Sequence, residues 1–183
     1  MTIADEERRK ELRQFRAQID DSMKYSHHSP LDPAERRRFQ GLNYFEYSEE
    51  LAFAARVERF PEDEPPIVMQ TSTGDSSSFR RWGRFTFEVD GQEVSLTIYS
   101  DPDGEEFFLP FKDKSNGQET YGAGRYLDNA RPGLWHLGGA EVGVDFNYAY
   151  NPYCAYNENY SCPLPPRENW LDVKVPAGEK KYK

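Results

Sequence analysis

Residues that build metal centres and acid–base machinery are scarce in this sequence. Two cysteines, three histidines and three methionines are present in 183 residues. Zinc normally takes four ligands, and Cys154, Cys162, His136 and the adjacent His27 and His28 stand at no finger-like spacing. No metal and no cofactor are therefore expected, and a metal centre using Cys154 and Cys162, with His136 as a third ligand, is carried as an alternative. With few histidines as bases and no Gly-x-Ser-x-Gly elbow, serine-nucleophile chemistry has little support. A surplus of basic residues is missing too: 23 Lys and Arg against 32 Asp and Glu give a net charge of −9. A nucleic-acid backbone calls for a concentrated basic surface, so no nucleic-acid partner is expected. The clusters Arg36-Arg37-Arg38 and Arg80-Arg81 read as solvated faces. No run approaches the roughly 18 apolar residues of a membrane helix, and Met1 to Arg9 lacks the apolar stretch of a leader peptide. The chain reads as cytoplasmic, without a membrane partner.

Aromatic residues, by contrast, are abundant. They make up 15% of the chain within a hydrophobic content of 37%, which favours a sheet, because rings fit a pleated surface. From Asp5 to about Lys24, Leu12, Phe15, Ile19 and Met23 recur every three or four positions and predict an amphipathic helix. A second helix is predicted from Asp32 as N-cap, with Pro33 at the first helical position and Glu35 closing a capping box, ending near Gly41. Beyond Gly41 the periodicity drops to two. Arg84–Val89 and Glu93–Tyr99 flank Asp90-Gly91, a pair suited to a type I′ turn, so that Phe85, Phe87, Val89, Val94, Leu96 and Ile98 form one core face. Further strands are predicted at Leu51–Phe60, Ile67–Thr71, Glu106–Phe111, Arg125–Leu127, Glu141–Phe146 and Leu171–Val175. Seven or eight strands predict a mainly β fold, an antiparallel sandwich or partly open barrel. Residues 1–28 read as a helix and linker, and residues 29–183 as a single β-rich domain. Pro61–Pro66 reads as an exposed connection, and Glu179–Lys183 as a tail.

Both cysteines fall in one aromatic, proline-bounded run, and five of the twelve tyrosines lie between Tyr148 and Tyr160. A tight hairpin centred on Glu158 would set Cys154 opposite Cys162 and Tyr156 opposite Tyr160, bringing the sulfurs within disulfide range. Closing so short a loop stabilises by roughly 2.5 kcal/mol in a chain-entropy treatment. Three readings stay open: a structural disulfide or two reduced neighbours, a thiol redox pair, and a metal site. The redox reading lacks Cys-x-x-Cys spacing and a neighbouring Lys or His to lower a thiol pKa. Asn159-Tyr-Ser161 is also a glycosylation sequon, meaningful only in an exported chain.

A second concentration runs from Lys112 to Leu127. Gly122 and Gly124 allow close backbone approach, and Arg125 offers a planar fork to an anion. The loop is neither a Walker loop nor a dinucleotide fingerprint. Its bland alternative is a turn in which Arg125 pairs with Asp113, Asp128 or Asp145.

Longer motifs accompany these: Ser29-Pro-Leu31, Phe39-Gln-Gly-Leu-Asn-Tyr-Phe45, Phe108-Leu-Pro-Phe-Lys-Asp113, Glu119-Thr-Tyr-Gly-Ala-Gly-Arg-Tyr-Leu-Asp128, Val144-Asp-Phe-Asn147, Tyr150-Asn-Pro-Tyr-Cys-Ala-Tyr156, Cys162-Pro-Leu-Pro-Pro166 and Ala177-Gly-Glu-Lys180. In these the chain resembles a prokaryotic family, domain of unknown function family 1684. The resemblance brings no known reaction or ligand; it implies that Phe108–Asp128 and Asp145–Pro166 form one functional unit. The leading expectation is a domain binding a small polar or anionic ligand between the 113–125 loop and the 147–162 segment. Asp113, Tyr121, Gly122, Gly124, Arg125, Asp145, Asn147, Tyr150 and Tyr156 are its candidate contacts. The enzymatic alternative is a hydrolase-type site with Asp113, Asp145 or Glu168 as base beside Arg125.

Overall fold

Asp90 and Gly91 both adopt positive φ, 50° and 73°, the conformation a type I′ turn demands. They join the longest strand pair in a computed structural model that describes residues 3–101, 103–104 and 106–183. Met1 and Thr2, where the search for a leader peptide begins, lie outside the described residues. Helices α1 (Ile3–Tyr25) and α2 (Pro33–Arg38) precede β1 (Ala52–Arg59), β2 (Ile67–Gln70), β3 (Ser76–Val89), β4 (Gln92–Ser100), β5 (Phe107–Phe111), β6 (Arg125–Asp128), β7 (Leu134–Gly138) and β8 (Glu141–Asp145). The eight strands form one antiparallel sheet in the order β6-β5-β4-β3-β1-β8-β7, with β2 on the first half of β3. The edges β6 and β7 approach each other, so the sheet curls into a nearly closed barrel.

Its interior is aromatic, as the composition requires. Phe85, Phe87 and Val89 point inward opposite Leu96 and Ile98, and Phe111, Val142, Val144 and Phe146 complete the wall. Phe87 stacks on Phe146 at 5.2 Å and Phe111 meets Phe146 edge-on at 5.3 Å, geometries that add to area burial.

Two expected features differ. Leu171–Val175 is not a strand, although Leu171, Val173 and Val175 are buried at alternate positions. The segment exchanges single bonds with Lys112 and Lys114, but its partner turns away there, because Asp113 accepts from the Ser115 amide and closes an Asx turn, so no ladder can run on. Glu179–Lys183 is not a free tail either. Glu179 is 3% exposed, and Lys180 and Lys181 donate backbone N–H groups to Asn43 and Glu119. Four charges in five residues look solvated in sequence; burial is permitted by partners that only the fold supplies.

Helix α1 lies on the outside with Leu12 and Met23 buried. Phe15 meets Tyr148 edge-on at 5.1 Å, and Arg16 stacks over Tyr44 at 4.2 Å while donating to the carbonyls of Phe45 and Asn147. The Asp32 capping box forms as predicted. Met23, Leu31, Phe39 and Tyr156 make a small satellite core that ties both helices to the cysteine segment.

Candidate functional site

Arg125 opens β6 with its side chain fully buried. Its Nη2 donates to Asp113 Oδ2 at 2.7 Å and to the Val175 carbonyl at 2.9 Å, and its Nη1 donates to the carbonyls of Ala177 and Glu179. Burial pulls the guanidinium pKa below its ordinary value, against the opposing pull of Asp113. A cation so placed fastens the C-terminal segment to the barrel; no N–H of it faces solvent. Gly124 serves the same packing: its φ is +106°, and a Cβ there would crowd the Phe111 carbonyl and Pro165. Gly122 is exposed on the surface.

The remaining candidates separate. Asn147 is buried and bonded to Ser48 and Asp145. Tyr150 donates to Asp128 beneath the Arg131 guanidinium, which lies 3.7 Å from the ring centroid. Tyr156 donates to Glu179 Oε2 at 2.6 Å in the interior, where burial raises the Glu179 pKa. Of the three proposed bases, only Asp113 adjoins Arg125, and that pair is sealed. Glu168 instead accepts from Arg81 and Tyr99. His136 is exposed and faces the Gly139 carbonyl at 3.3 Å. Among the described residues no group of three or more His, Cys, Asp or Glu side chains is placed to hold a metal ion.

Where the 113–125 loop does meet the 147–162 segment, it meets the thiols: the Tyr121 hydroxyl donates to Cys154 Sγ at 3.7 Å. The predicted hairpin with Tyr156 opposite Tyr160 does not form. Pro152 instead starts a short 3-10 turn, Tyr153–Ala155, and an Asx turn at Asn157 reverses the chain. Tyr153 then faces Tyr160 edge-on at 5.2 Å, and Tyr156 turns inward. The sulfurs still converge. Both cysteines are thiols, and the Cys154 amide donates to Cys162 Sγ at 3.3 Å.

Their surroundings differ. Cys162 is 7% exposed, and its amide donates to Ser72 Oγ. Beside it, Thr71, Thr73 and Ser161 bond through their hydroxyls at 2.7–3.2 Å. Cys154 is partly exposed and lines a cleft of about 400 Å³ with Asp32, Glu35, Asn157 and Lys183. Its pKa is lowered to about 6, first by the Cys162 thiol and then by the Tyr121 and Ser72 hydroxyls, which together outweigh burial. The Cys162 pKa is raised, first by its hydrogen bond to Cys154 and then by burial. No lysine or histidine is required: neutral donors do what a cation does elsewhere. Ser72 lies 90 positions from Cys162, and no local spacing signals that contact.

No functionally curated protein matches the chain. Among solved structures, the solution NMR structure of the uncharacterized protein from gene locus rrnAC0354 of Haloarcula marismortui is similar, at 34% identity and a TM-score of 0.70, over 98% of this chain and 97% of that one. A family profile described as Protein of unknown function (DUF1684) matches residues 37–180, and the chain belongs to that family.

Proposed function

We propose that this domain carries a redox-active dithiol at the junction of the 113–125 loop and the 147–162 segment, and that its small-molecule partner is a low-molecular-weight disulfide. One arrangement carries the reading: the two cysteines touch, with the Cys154 amide donating to Cys162 Sγ, Cys154 opening on a cleft and Cys162 buried behind it. The exposed thiolate is the nucleophile. Cys154 S⁻ attacks one sulfur of R–S–S–R, the Cys154 S–SR bond forms, and RS⁻ leaves. With Cys154 in the mixed disulfide, the thiolate that accepted the Cys162 hydrogen bond and held its proton is gone. Cys162 gives up that proton to the departing thiolate and attacks the Cys154 sulfur, closing the Cys154–Cys162 bond and releasing the second RS⁻, which takes its proton from water. Two electrons pass from the protein dithiol to the substrate disulfide.

Oxidised glutathione is a suitable probe. Reduced wild-type protein should release two equivalents of glutathione per chain and retain no adduct. Cys162→Ser should release one equivalent and trap a mixed disulfide on Cys154, and Cys154→Ser should release almost none at neutral pH. If Cys162→Ser forms no adduct, the assignment of Cys154 as nucleophile is wrong.

A further inference from the structure

A separate groove lies between α1 and the strands β1, β7 and β8. Strand alternation puts Ala52 and Ala54 of β1 beside Asp145 and Gly143 of β8, in the register Ala52↔Asp145 and Ala54↔Gly143. Small side chains keep this floor low. Trp135 of β7 pairs with Gly143, and a Cβ at that glycine would overlap the indole, so the ring lies flat on the sheet. Its other side is open, at 44% exposure, next to Leu137 at 50%. The resulting groove of about 450 Å³ is walled by Trp135, Leu137 and Tyr148, with Arg8 and Glu11 of α1 at its rim.

Asp145 supplies the polar group. The residue is 7% exposed, and its Oδ1 accepts from the backbone and side-chain nitrogens of Asn147 at 2.9 and 2.8 Å. Among the described residues Oδ2 accepts no hydrogen bond; the Arg8 and Arg16 guanidiniums act on the carboxylate electrostatically, and it lines the groove together with Arg8 and Glu11. A carboxylate oxygen that accepts no hydrogen bond at the floor of a groove favours a ligand that brings a donor. Rings nearby favour a cationic donor, since an ammonium over an indole or phenol face is attracted by its quadrupole.

We infer that this groove binds a small organic ammonium ion with an aromatic or apolar body, its nitrogen on Asp145 Oδ2 and its body against Trp135. The site shares no residue with the dithiol, so either can fail alone.

The test uses 2-phenylethylammonium, titrated into the full-length protein and followed by ¹H–¹⁵N NMR. Saturable shifts are expected at the Trp135 indole N–H and the Gly143 amide, with 2-phenylethanol and phenylacetate binding at least about tenfold more weakly. Asp145→Asn keeps the Oδ1 acceptor that Asn147 uses and should weaken binding about tenfold. Trp135→Ala, at an exposed position, should weaken it as well. Absence of saturation in the millimolar range overturns the inference, as do equal binding of phenylacetate and unchanged affinity in both variants.

Discussion

Asp113–Arg125 and Cys154–Cys162 occupy facing segments of the molecule and look comparable in sequence: each pairs two reactive groups among aromatic and glycine or proline residues. In three dimensions they are opposites. At Arg125 both terminal nitrogens are taken by Asp113 and by the carbonyls of Val175, Ala177 and Glu179, with no exposed surface left. In the thiol pair one sulfur is buried, and the other accepts from Tyr121 and opens on a cleft that Glu35 of α2 helps to line. Chemical strength does not mark a site; strength that reaches an accessible surface does.

The largest expected effect lies on the sealed side. Arg125→Ala or Asp113→Ala leaves a buried charge uncompensated and should cost about 3–5 kcal/mol in urea unfolding, with thiol reactivity unchanged at temperatures where the variant is folded. A cost below about 1 kcal/mol, together with altered thiol chemistry, would erase the contrast between the two regions. Gly124→Ala should follow at about 1–3 kcal/mol, because positive φ and the Phe111 carbonyl both oppose a side chain. Tyr121→Phe should sharpen the comparison from the open side. Stability should change by no more than about 1.5 kcal/mol, while the midpoint of Cys154 alkylation moves up toward the ordinary thiol value near 8.5. At the bottom of the scale, Lys114→Ala breaks the exposed Lys114–Asp172 pair, which joins the 113–125 loop to the 171–175 segment at 2.9 Å. It should change stability by less than about 0.5 kcal/mol.

Linkage adds a pH signature. The folded protein holds the Cys154 pKa below its unfolded value, so folding favours the thiolate. That contribution is fully present above the unfolded pKa and is lost as pH falls through about 6. Cys154→Ser should lack this pH dependence in urea unfolding.

Local signals made much of the fold legible. Alternation in Phe85–Val89 and Val94–Ile98, the Asp90-Gly91 turn and the Asp32 capping box are written in adjacent residues and formed as expected. β7 was not anticipated, because only Leu134 of its five residues is buried and no alternation appears. Leu171–Val175 alternates without pairing, since alternation reports burial on one side and not hydrogen bonding to a neighbour. The approach of the two sulfurs was legible from their spacing, but the turn that achieves it was not, because Pro152 and Asn157 favour a 3-10 turn and an Asx reversal over a hairpin. The donors that tune Cys154 were invisible: Tyr121 stands 33 positions away and Ser72 still farther, brought in by β2 and by the loop ahead of β6. The buried Arg125 pairing with Asp113 could be named as one option among three acids, but its burial could not.

The pH profile of iodoacetamide alkylation, read separately for each cysteine by peptide mass spectrometry, tests the central claim most directly. Thiolate is the reacting form, so the rate should rise with pH through the folded pKa and then level off. The dithiol site predicts that Cys154 reacts first, with a midpoint at about 6, while Cys162 stays protected until the protein unfolds. Prior labelling of Cys162, or a Cys154 midpoint near the ordinary value of about 8.5, would contradict it.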